Sequence, residues 1–345
     1  MIFDSQAAIP AAVNFGGFPS MSILVTGAAG FIGFHTSQAL LARGEKVIGI
    51  DNFNDYYDVA LKENRAARLL AQEGFSMVRA DISDREAMGQ TFARHSEITG
   101  IIHLAAQAGV RYSLINPYAY TQSNVEGHLV LMEAARKLKD LKHFVYASSS
   151  SVYGANTKLP FSVDDPVEHP VSLYAATKRS MELMSESYAR MYGLPLTGLR
   201  FFTVYGPWGR PDMAAYIFTK KIMAGEPIPV FNNGEMRRDF TFIDDIVSGI
   251  LGVLATTPKS PDGTPHRVYN LGNNRSEQLM RFVQVLEEAL QRKAEIDFQP
   301  LQPGDVPETY ADIDASIRDF GFNPVTPIEQ GIPRFIDWYK DYHGV

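Results

Sequence analysis

Two side chains spaced one helical turn apart are the strongest candidates for chemistry in this sequence. Tyr174 and Lys178 form the pattern Tyr-x-x-x-Lys, and residues four positions apart lie on the same face of a helix. A free tyrosine, with a pKa of about 10, is a poor base at neutral pH. A nearby lysine ammonium favours the phenolate and lowers that pKa, so the pair is suited to proton transfer.

A row of serines precedes this pair in the chain. The apolar alternation before Ser148–Ser151 predicts a buried strand whose carboxyl end carries the hydroxyl groups. From there a serine hydroxyl can share the proton of Tyr174. The same spacing recurs at Tyr216 and Lys220, but no serine strand precedes them. The context, rather than the spacing, therefore favours the first pair.

A glycine-rich segment near the start of the chain predicts a dinucleotide site. The short apolar strand Ser22–Thr26 is followed by Gly27, Gly30 and Gly33, and we expect the next helix to continue to Ala42. Glycines at this spacing allow a tight turn, close approach of a pyrophosphate to the helix N-terminus, and close packing of helix on strand.

An aspartate at the end of the second predicted strand indicates which dinucleotide binds. Asp51 is placed to bind a ribose 2′-hydroxyl, and Asn52–Asn54 supply no arginine for a 2′-phosphate, so we predict NAD rather than NADP. Asp81, after the third strand, is predicted to reach the adenine amine. The remaining predicted cofactor contacts come from the same turns and strand ends: Phe31, Ile32, Asn52, Ile82, Leu104, Ala105 and Ala106.

Length and composition limit the classes of protein to consider. A chain of 345 residues exceeds what one core usually holds, so we expect a large α/β domain with a smaller lobe. A net charge of −7 without a basic run argues against a nucleic-acid partner. The absence of cysteine excludes disulfides and thiol catalysis, and the histidines show no metal-ligand spacing, so we predict no metal. His103 is expected to be a packed strand residue.

Neither export nor membrane insertion is predicted. Residues 1–20 lack a basic segment followed by an apolar core, and no run of about 18 apolar residues occurs in the chain. We therefore expect a cytoplasmic protein with no membrane partner. Residues 1–20 are rich in Ala, Pro and Gly and are expected to form a disordered extension.

Five motifs, in order along the chain, resemble those of the extended short-chain dehydrogenase/reductase family, and most closely those of nucleotide-sugar epimerases of the UDP-glucuronate 4-epimerase type. They are Thr26–Gly33, the Ser149 strand, Tyr174-x-x-x-Lys178, Arg200–Pro207 and Arg238–Asp245. The resemblance covers about residues 22–340. It implies catalytic roles for Ser149, Tyr174 and Lys178, NAD as cofactor, a UDP-sugar substrate, and a homodimer paired through helices near 120–138 and 172–192.

The same resemblance implies a Rossmann-type doubly wound parallel sheet with a smaller, interleaved C-terminal substrate lobe. We expect the NAD-binding domain to comprise residues 21–202 and about 236–272. The nucleotide-sugar lobe would comprise about 203–235 and 273–345.

Several residues of this lobe are predicted to bind the nucleotide. Phe231 resembles the family position that lies against uracil, although a core phenylalanine is the alternative. Arg238 suits a bidentate contact with the diphosphate. Gln302 departs from the arginine that many UDP-sugar epimerases carry there. Arg111 would compensate from the opposite wall, unless it is a charge on a surface loop.

The sugar is predicted from the donors around its C6 group. Ser150, Ser151 and Thr203 can donate hydrogen bonds to a carboxylate, and Arg210 can oppose its charge, with a phosphate contact as the alternative for Arg210. Related 4,6-dehydratases carry Asp-Glu, and decarboxylases a Glu, at the two positions before Val-Tyr-Gly. Serines at those positions favour an epimerase. An epimerase of neutral hexoses remains an alternative.

The predicted reaction interconverts UDP-glucuronate and UDP-galacturonate. Tyr174 takes the proton of the sugar 4-hydroxyl while C4 gives a hydride to NAD, and the hydride returns after the 4-keto sugar has presented its other face. Lys178 keeps Tyr174 anionic and holds the nicotinamide ribose, while Ser149 bonds the reacting oxygen. A non-catalytic NAD-sensing regulator is the alternative outside enzymes, and it would need neither Tyr174 nor Lys178.

Overall fold

The computed structural model describes residues 21–302 and 306–345. The predicted disordered extension, residues 1–20, lies outside the described residues. The strands are β1 (Ser22–Thr26), β2 (Lys46–Asp51), β3 (Phe75–Arg79), β4 (Ile98–His103), β5 (His143–Ser149), β6 (Leu196–Phe201), β7 (Thr203–Tyr205), β8 (Ile228–Phe231), β9 (Arg237–Arg238), β10 (Phe240–Phe242), β11 (His266–Leu271), β12 (Glu277–Gln278), β13 (Ile296–Gln299) and β14 (Glu308–Thr309).

Helices follow most of these strands. They are α1 (Phe31–Ala42), α2 (Val59–Leu70), α3 (Arg85–Arg94), α4 (Tyr112–Ile115), α5 (Pro117–Tyr120), α6 (Gly127–Ala135), α7 (Leu173–Tyr192), α8 (Ala214–Ala224), α9 (Ile243–Leu254), α10 (Leu279–Leu290), α11 (Asp314–Phe320) and α12 (Ile328–His343). A π-helical stretch, Thr121–Glu126, leads into α6.

A seven-stranded parallel sheet lies at the centre, in the order β11-β6-β5-β4-β1-β2-β3. Every residue of β1, β5 and β6 is buried, because helices cover both faces of a parallel sheet. Ile23 and Val25 of β1 pack into one core with α9, whereas Leu24 packs into a second core with α3, α6 and α7. The predicted doubly wound Rossmann-type sheet is confirmed.

The strand order reverses beside β1, which pairs with β2 on one side and β4 on the other. Loops that leave neighbouring strands at such a point diverge to opposite faces, and ligands bind in the crevice between them. The carboxyl ends of β1, β2 and β4 therefore define where the site begins.

Small sheets join strands that are distant along the chain, and some of these sheets join strands from the two predicted domains. β8 pairs with β13, β9 pairs with β12 and β14, and β10 pairs with β7. Helices α8, α10 and α12 add apolar residues to the core beside them. The boundaries proposed for the two domains stay predictions.

Candidate active site

One large cavity, of about 840 Å³, opens beyond the carboxyl ends of the central strands and extends into the second lobe. Both predicted binding regions face this single space. Its walls include every predicted site residue except Asp81: Gly27, Gly30, Phe31, Ile32, Gly33, Asp51, Asn52, Ile82, Leu104, Ala105, Ala106, Arg111, Ser149, Ser150, Ser151, Tyr174, Lys178, Thr203, Arg210, Phe231 and Arg238.

The glycine turn between β1 and α1 forms one end of the cavity. Gly27 has φ of 69°, and a Cβ there would lie 2.8 Å from the backbone nitrogen of Ala105. A Cβ on Gly33 would lie 2.0 Å from the carbonyl oxygen of Gly27. Helix α1 begins after Gly30 with no side-chain cap on its first backbone N–H groups. This cradle of backbone fits a pyrophosphate, which N–H groups at a helix N-terminus bind.

Asp51 lies in the adjoining wall. Its carboxylate accepts hydrogen bonds from the backbone nitrogens of Ala29, at 3.1 Å, and Phe53, at 2.9 Å. Burial raises the pKa of Asp51, and these bonds oppose the rise. The carboxylate is thus held against the glycine turn, where a nucleotide ribose can reach it.

The carboxylate of Asp81 bonds neighbouring side chains and does not line the cavity. Its carboxylate accepts hydrogen bonds from Asn52 Nδ2 at 2.8 Å and from the hydroxyl of Ser83 at 2.7 Å. Its neighbours Ala80 and Ile82 line the cavity, but Asp81 does not. Its proposed contact with adenine stays a prediction.

Lys62, on α2, also lines this end of the cavity and is absent from the sequence-based set. Its ammonium donates to the carbonyl and side-chain oxygens of Asn54, at 2.6 and 2.7 Å. A cation therefore does lie beside the segment that follows Asp51. Lys62 lies eight positions after Asn54, and no motif in the sequence marks it as a site residue.

Tyr174 and Lys178 lie in the first turns of α7, as the sequence predicts. The Ser172 hydroxyl caps this helix by accepting a hydrogen bond from the backbone nitrogen of Ala175, and Gly193, with φ of 66°, ends it. Lys178 is 2% exposed, and its ammonium donates to the carbonyl oxygen of Ala147 at 2.8 Å. The pair is therefore held against the end of β5.

The expected lowering of the Tyr174 pKa is wrong for this structure. Burial raises the pKa of Tyr174, and a hydrogen bond with Ser149 only opposes that rise. Burial also lowers the pKa of Lys178 to about 7. The physical reason is desolvation, which disfavours the charged form of both groups and which spacing along a helix does not reveal.

A row of hydroxyls lines the wall opposite Tyr174. Ser149 is the last residue of β5, and its hydroxyl accepts a hydrogen bond from the backbone nitrogen of Ser151 at 3.2 Å. Ser150, Ser151 and Thr203 also line the cavity. The structure thus brings together the groups predicted to surround the reacting end of a sugar.

Arg210 lies in the same cavity but already has an anionic partner. Its Nε donates to Asp212 Oδ1 at 3.0 Å, and the hydroxyl of Tyr56 donates to the other oxygen of Asp212, also at 3.0 Å. The sequence analysis considered neither Asp212 nor Tyr56. Tyr56 comes from the loop after β2, so its approach to Asp212 is a tertiary contact without a local signal.

Arg111 and Phe231 contact each other across the cavity. The Arg111 guanidinium lies 4.3 Å from the centre of the Phe231 ring, in the geometry of a cation–π interaction. Arg238 donates to the carbonyl oxygen of Pro307 at 3.0 Å. All three side chains line the cavity, as expected for nucleotide-binding residues.

The second Tyr-x-x-x-Lys pair lies outside this cavity. Tyr216 is buried in an aromatic cluster near the end of α12, and its hydroxyl lies 2.7 Å from His343 Nε2. His103 is buried and bonds the hydroxyl of Thr26 at 2.7 Å, as a packed strand histidine does. Within residues 21–302 and 306–345, no group of three or more His, Asp or Glu could hold a metal ion.

Comparison with known proteins identifies the family. Residues 23–272 match the model of the NAD dependent epimerase/dehydratase family. The chain belongs to this family. UDP-glucuronate 4-epimerase 2 of Arabidopsis thaliana is 48% identical over 334 residues, which cover 94% of this chain and 76% of the relative.

Solved structures resemble the whole described fold. The UDP-glucuronic acid 4-epimerase of Bacillus cereus, in complex with UDP-glucuronic acid and NAD, superposes with a TM-score of 0.86 at 33% identity, covering 93% of this chain and all of that one. The UDP-glucose 4-epimerase of Thermotoga maritima, with UDP-glucose, gives a TM-score of 0.83 at 31% identity, covering 94% of this chain and all of that one.

Proposed function

We propose that this protein is an NAD-dependent isomerase that inverts C4 of a UDP-hexuronic acid and interconverts UDP-glucuronate and UDP-galacturonate. The observation that carries the proposal is the hydroxyl-lined wall opposite Tyr174, in which Ser150 and Ser151 stand where related lyases carry acids. The relatives named as UDP-glucuronate 4-epimerases support the same substrate.

NAD is held at the glycine turn and along the strand ends. Gly27, Gly30 and Gly33 leave room for the pyrophosphate, and Asp51 binds the adenosine ribose. When bound there, NAD would supply the acceptor for the hydride of C4 and the donor for its return. Lys178, which lines the same cavity, would hold the nicotinamide ribose.

Three side chains move the proton. Tyr174 removes it from the sugar 4-hydroxyl and gives it back after the sugar has turned. Lys178, with a pKa near 7, can carry the proton that leaves Tyr174. The hydroxyl of Ser149 donates to the reacting oxygen and stabilises the charge that develops there.

The serines also explain why the sugar keeps its carboxylate. A 4-keto uronate is a β-keto acid, which loses carbon dioxide when the C5–C6 bond aligns with the carbonyl π system. Hydrogen bonds from Ser150, Ser151 and Thr203 hold the carboxylate out of that alignment. Without an acid at positions 150 and 151, elimination and protonation at C5 also lack a catalyst.

Product analysis tests this proposal. The purified protein is incubated with UDP-glucuronate and the nucleotide sugars are separated by chromatography. We expect UDP-galacturonate with little UDP-pentose. A UDP-pentose as main product would identify a decarboxylase, and an unsaturated or deoxy sugar a dehydratase. No turnover of any UDP-sugar would favour the NAD-sensing regulator.

Variants of Arg210 and its neighbours test how the protein recognises the negative charge of the uronate. Arg210→Ala or Thr203→Ala should weaken binding of UDP-glucuronate more than that of UDP-glucose, and should raise decarboxylation. Because Asp212 already pairs with Arg210, Asp212→Asn is the matched variant and should instead favour the uronate. If Arg210→Ala weakens the binding of UDP-glucuronate and UDP-glucose equally, Arg210 contacts the phosphates that both ligands share.

An epimerase of neutral UDP-hexoses is the second candidate. The pairing of Arg210 with Asp212 favours it, because the arginine charge is already balanced before any uronate binds. The similar fold of a UDP-glucose 4-epimerase is consistent with this candidate.

The proposal extends to a homodimer in the cytoplasm. Helices α6 and α7 carry the apolar side chains Leu129 and Leu183, which are 36% and 52% exposed, as an interface between two copies needs. The absence of cysteine suits a reducing compartment, and cell fractionation tests that location. No helix among the described residues is long and apolar enough to span a membrane.

A further inference from the structure

A buried cluster of charges lies on the far side of Lys178 from Tyr174. Glu182 follows Lys178 by one turn of α7, so Tyr174, Lys178 and Glu182 share one face of the helix. Glu182 is 1% exposed and Arg200, on β6, is 3% exposed. The proton-transfer step proposed above uses neither of these two residues.

Both carboxylate oxygens of Glu182 are fully bonded. Oε1 accepts from the Ser148 hydroxyl at 2.6 Å and from Arg200 Nε at 2.9 Å. Oε2 accepts from the second nitrogen of Arg200 at 2.9 Å and from Arg179 at 3.0 Å. A buried carboxylate with this many charged donors stays ionised, and the pKa of Glu182 is lowered although burial opposes the shift.

These bonds fasten the catalytic helix to the catalytic strand at two consecutive residues. The carbonyl oxygen of Ala147 holds the ammonium of Lys178, and the hydroxyl of Ser148 holds the carboxylate of Glu182. The next residue of the strand is Ser149. The separation between Ser149 and Tyr174 is therefore set by a pair of contacts, one turn apart on α7.

The surroundings of Lys178 otherwise disfavour its positive charge. Burial lowers the pKa of Lys178, and the charge of Glu182 raises it. Burial also lowers the pKa of His128 to about 3 and that of His266 to about 4, so these rings are neutral near pH 7. The titratable groups packed around Lys178 and Glu182 are His103 of β4, His128 of α6, Tyr146 of β5, Tyr153, Arg179 of α7, Arg200 of β6 and His266 of β11.

We propose that Glu182 is a positioning residue of the active site, which fixes the end of β5 against α7 and favours the protonated form of Lys178. This inference rests on the proposed function, because it assigns Glu182 to the Tyr174–Lys178 proton transfer. Arg200 and Arg179 hold the carboxylate in place, and its negative charge offsets part of theirs beside Lys178. Glu182 itself touches neither sugar nor cofactor.

Titration of Lys178 tests the proposal without any turnover. The protein is labelled with 13Cε-lysine, and the Lys178 signal is assigned by its absence from Lys178→Met. In Glu182→Gln the midpoint of this signal should fall by about 1 pH unit, because an opposite charge one turn away is lost. In Glu182→Asp, which retains the charge, it should stay near that of the unmodified protein. Equal midpoints in all three proteins would overturn the proposal.

Kinetics give the second measurement. The alkaline limb of the pH profile of kcat/KM for UDP-glucuronate should move to lower pH in Glu182→Gln and be restored in Glu182→Asp. A merely structural role would reduce the rate equally at every pH, and that result would also overturn the proposal. If the unmodified protein turns over no UDP-sugar, the proposed function fails, whereas the lysine titration still decides the role of Glu182.

Glu182→Gln leaves Arg200 buried without its partner and can therefore impair folding. Circular dichroism and bound NAD content monitor this effect. If that variant does not fold, Glu182→Gln/Arg200→Gln removes both charges, an exchange that buried ion pairs often tolerate. Arg200→Gln, which retains the carboxylate, is the reference for this double variant. Because Glu182 raises the pKa of Lys178, the Lys178 midpoint should be lower in the double variant than in Arg200→Gln, and equal midpoints in these two proteins would contradict the inference.

Discussion

Tyr174 is the residue on which the proposed chemistry depends most. Tyr174→Phe removes the group that takes the sugar proton but keeps the ring and its contact with Tyr120. Turnover should fall by at least about a hundredfold, the usual loss for a general base, while NAD stays bound. Rates with UDP-glucuronate and the absorbance of released cofactor measure the two effects.

Tyr216→Phe is the matched control, because it removes the same hydroxyl from the other Tyr-x-x-x-Lys pair. Its loss breaks the contact with His343 and should lower the free energy of unfolding by about 1 kcal/mol, with the rate unchanged. An inactive Tyr216→Phe beside an active Tyr174→Phe would mean that the catalytic pair is the second one.

Lys178 should make stability depend on pH in a defined direction. Its pKa is about 7 in the folded protein and 10.5 ordinarily, so between these values the unfolded chain binds more protons than the folded one. The free energy of unfolding should therefore rise with pH in this window, relative to Lys178→Met. Denaturant unfolding of both proteins at pH 6.5, 8 and 9.5, spanning roughly that window, measures it. The pKa of Lys178 would be contradicted if the free energy of unfolding of the unmodified protein, relative to Lys178→Met, stayed constant or fell as the pH rises.

At the scale of elements, the two helices proposed to pair between copies carry exposed leucines. Leu183→Asp on α7 should convert a dimer, of twice the chain mass of 38.3 kDa, into monomers. Light scattering during size-exclusion chromatography measures the mass. Leu70→Asp is the control, because Leu70 is similarly exposed, at 54%, but lies on α2. If Leu183→Asp is still a dimer, the interface lies elsewhere on the protein. If the unmodified protein is a monomer, the proposed homodimer is refuted.

The elements predicted well are those that local chemistry defines. β1, β5, α1 and α7 follow from apolar runs, a glycine turn and the Tyr-x-x-x-Lys spacing, all of which are contiguous in sequence. The pairing of β9 with β12 and β14 cannot be predicted from such contiguous patterns. Each of these strands is two residues long, and its partners are distant along the chain.

Site residues that belong to contiguous motifs could be predicted from the sequence, whereas site residues outside such motifs could not. Ser149, Tyr174 and Lys178 belong to recognisable motifs, and they line one cavity. Lys62 and Tyr56 also line the cavity, but they belong to no motif, and Tyr56 bonds Asp212, which is 156 positions away in the sequence. The raised pKa of Tyr174 likewise depends on burial, which the spacing of two residues does not specify.

At the scale of the whole molecule, one cavity holds both proposed ligands, so the hydride need not leave the protein. With NAD and the sugar bound in this cavity, the hydride taken from C4 would be returned to the same sugar. Product made in deuterated water should therefore carry no deuterium at C4, as measured by NMR or mass spectrometry. Substantial incorporation at C4 would rule out an internal hydride cycle.

The central claim is that one cavity joins a dinucleotide site to a hydroxyl-lined site for a sugar. The preference of the protein between two UDP-sugars tests this claim most directly. The measurement is kcat/KM of the unmodified protein for UDP-glucuronate and for UDP-glucose under identical conditions, with the C4 epimer of each quantified by chromatography. The account predicts a higher value for UDP-glucuronate, with UDP-galacturonate as its product. Faster conversion of UDP-glucose to UDP-galactose would contradict it.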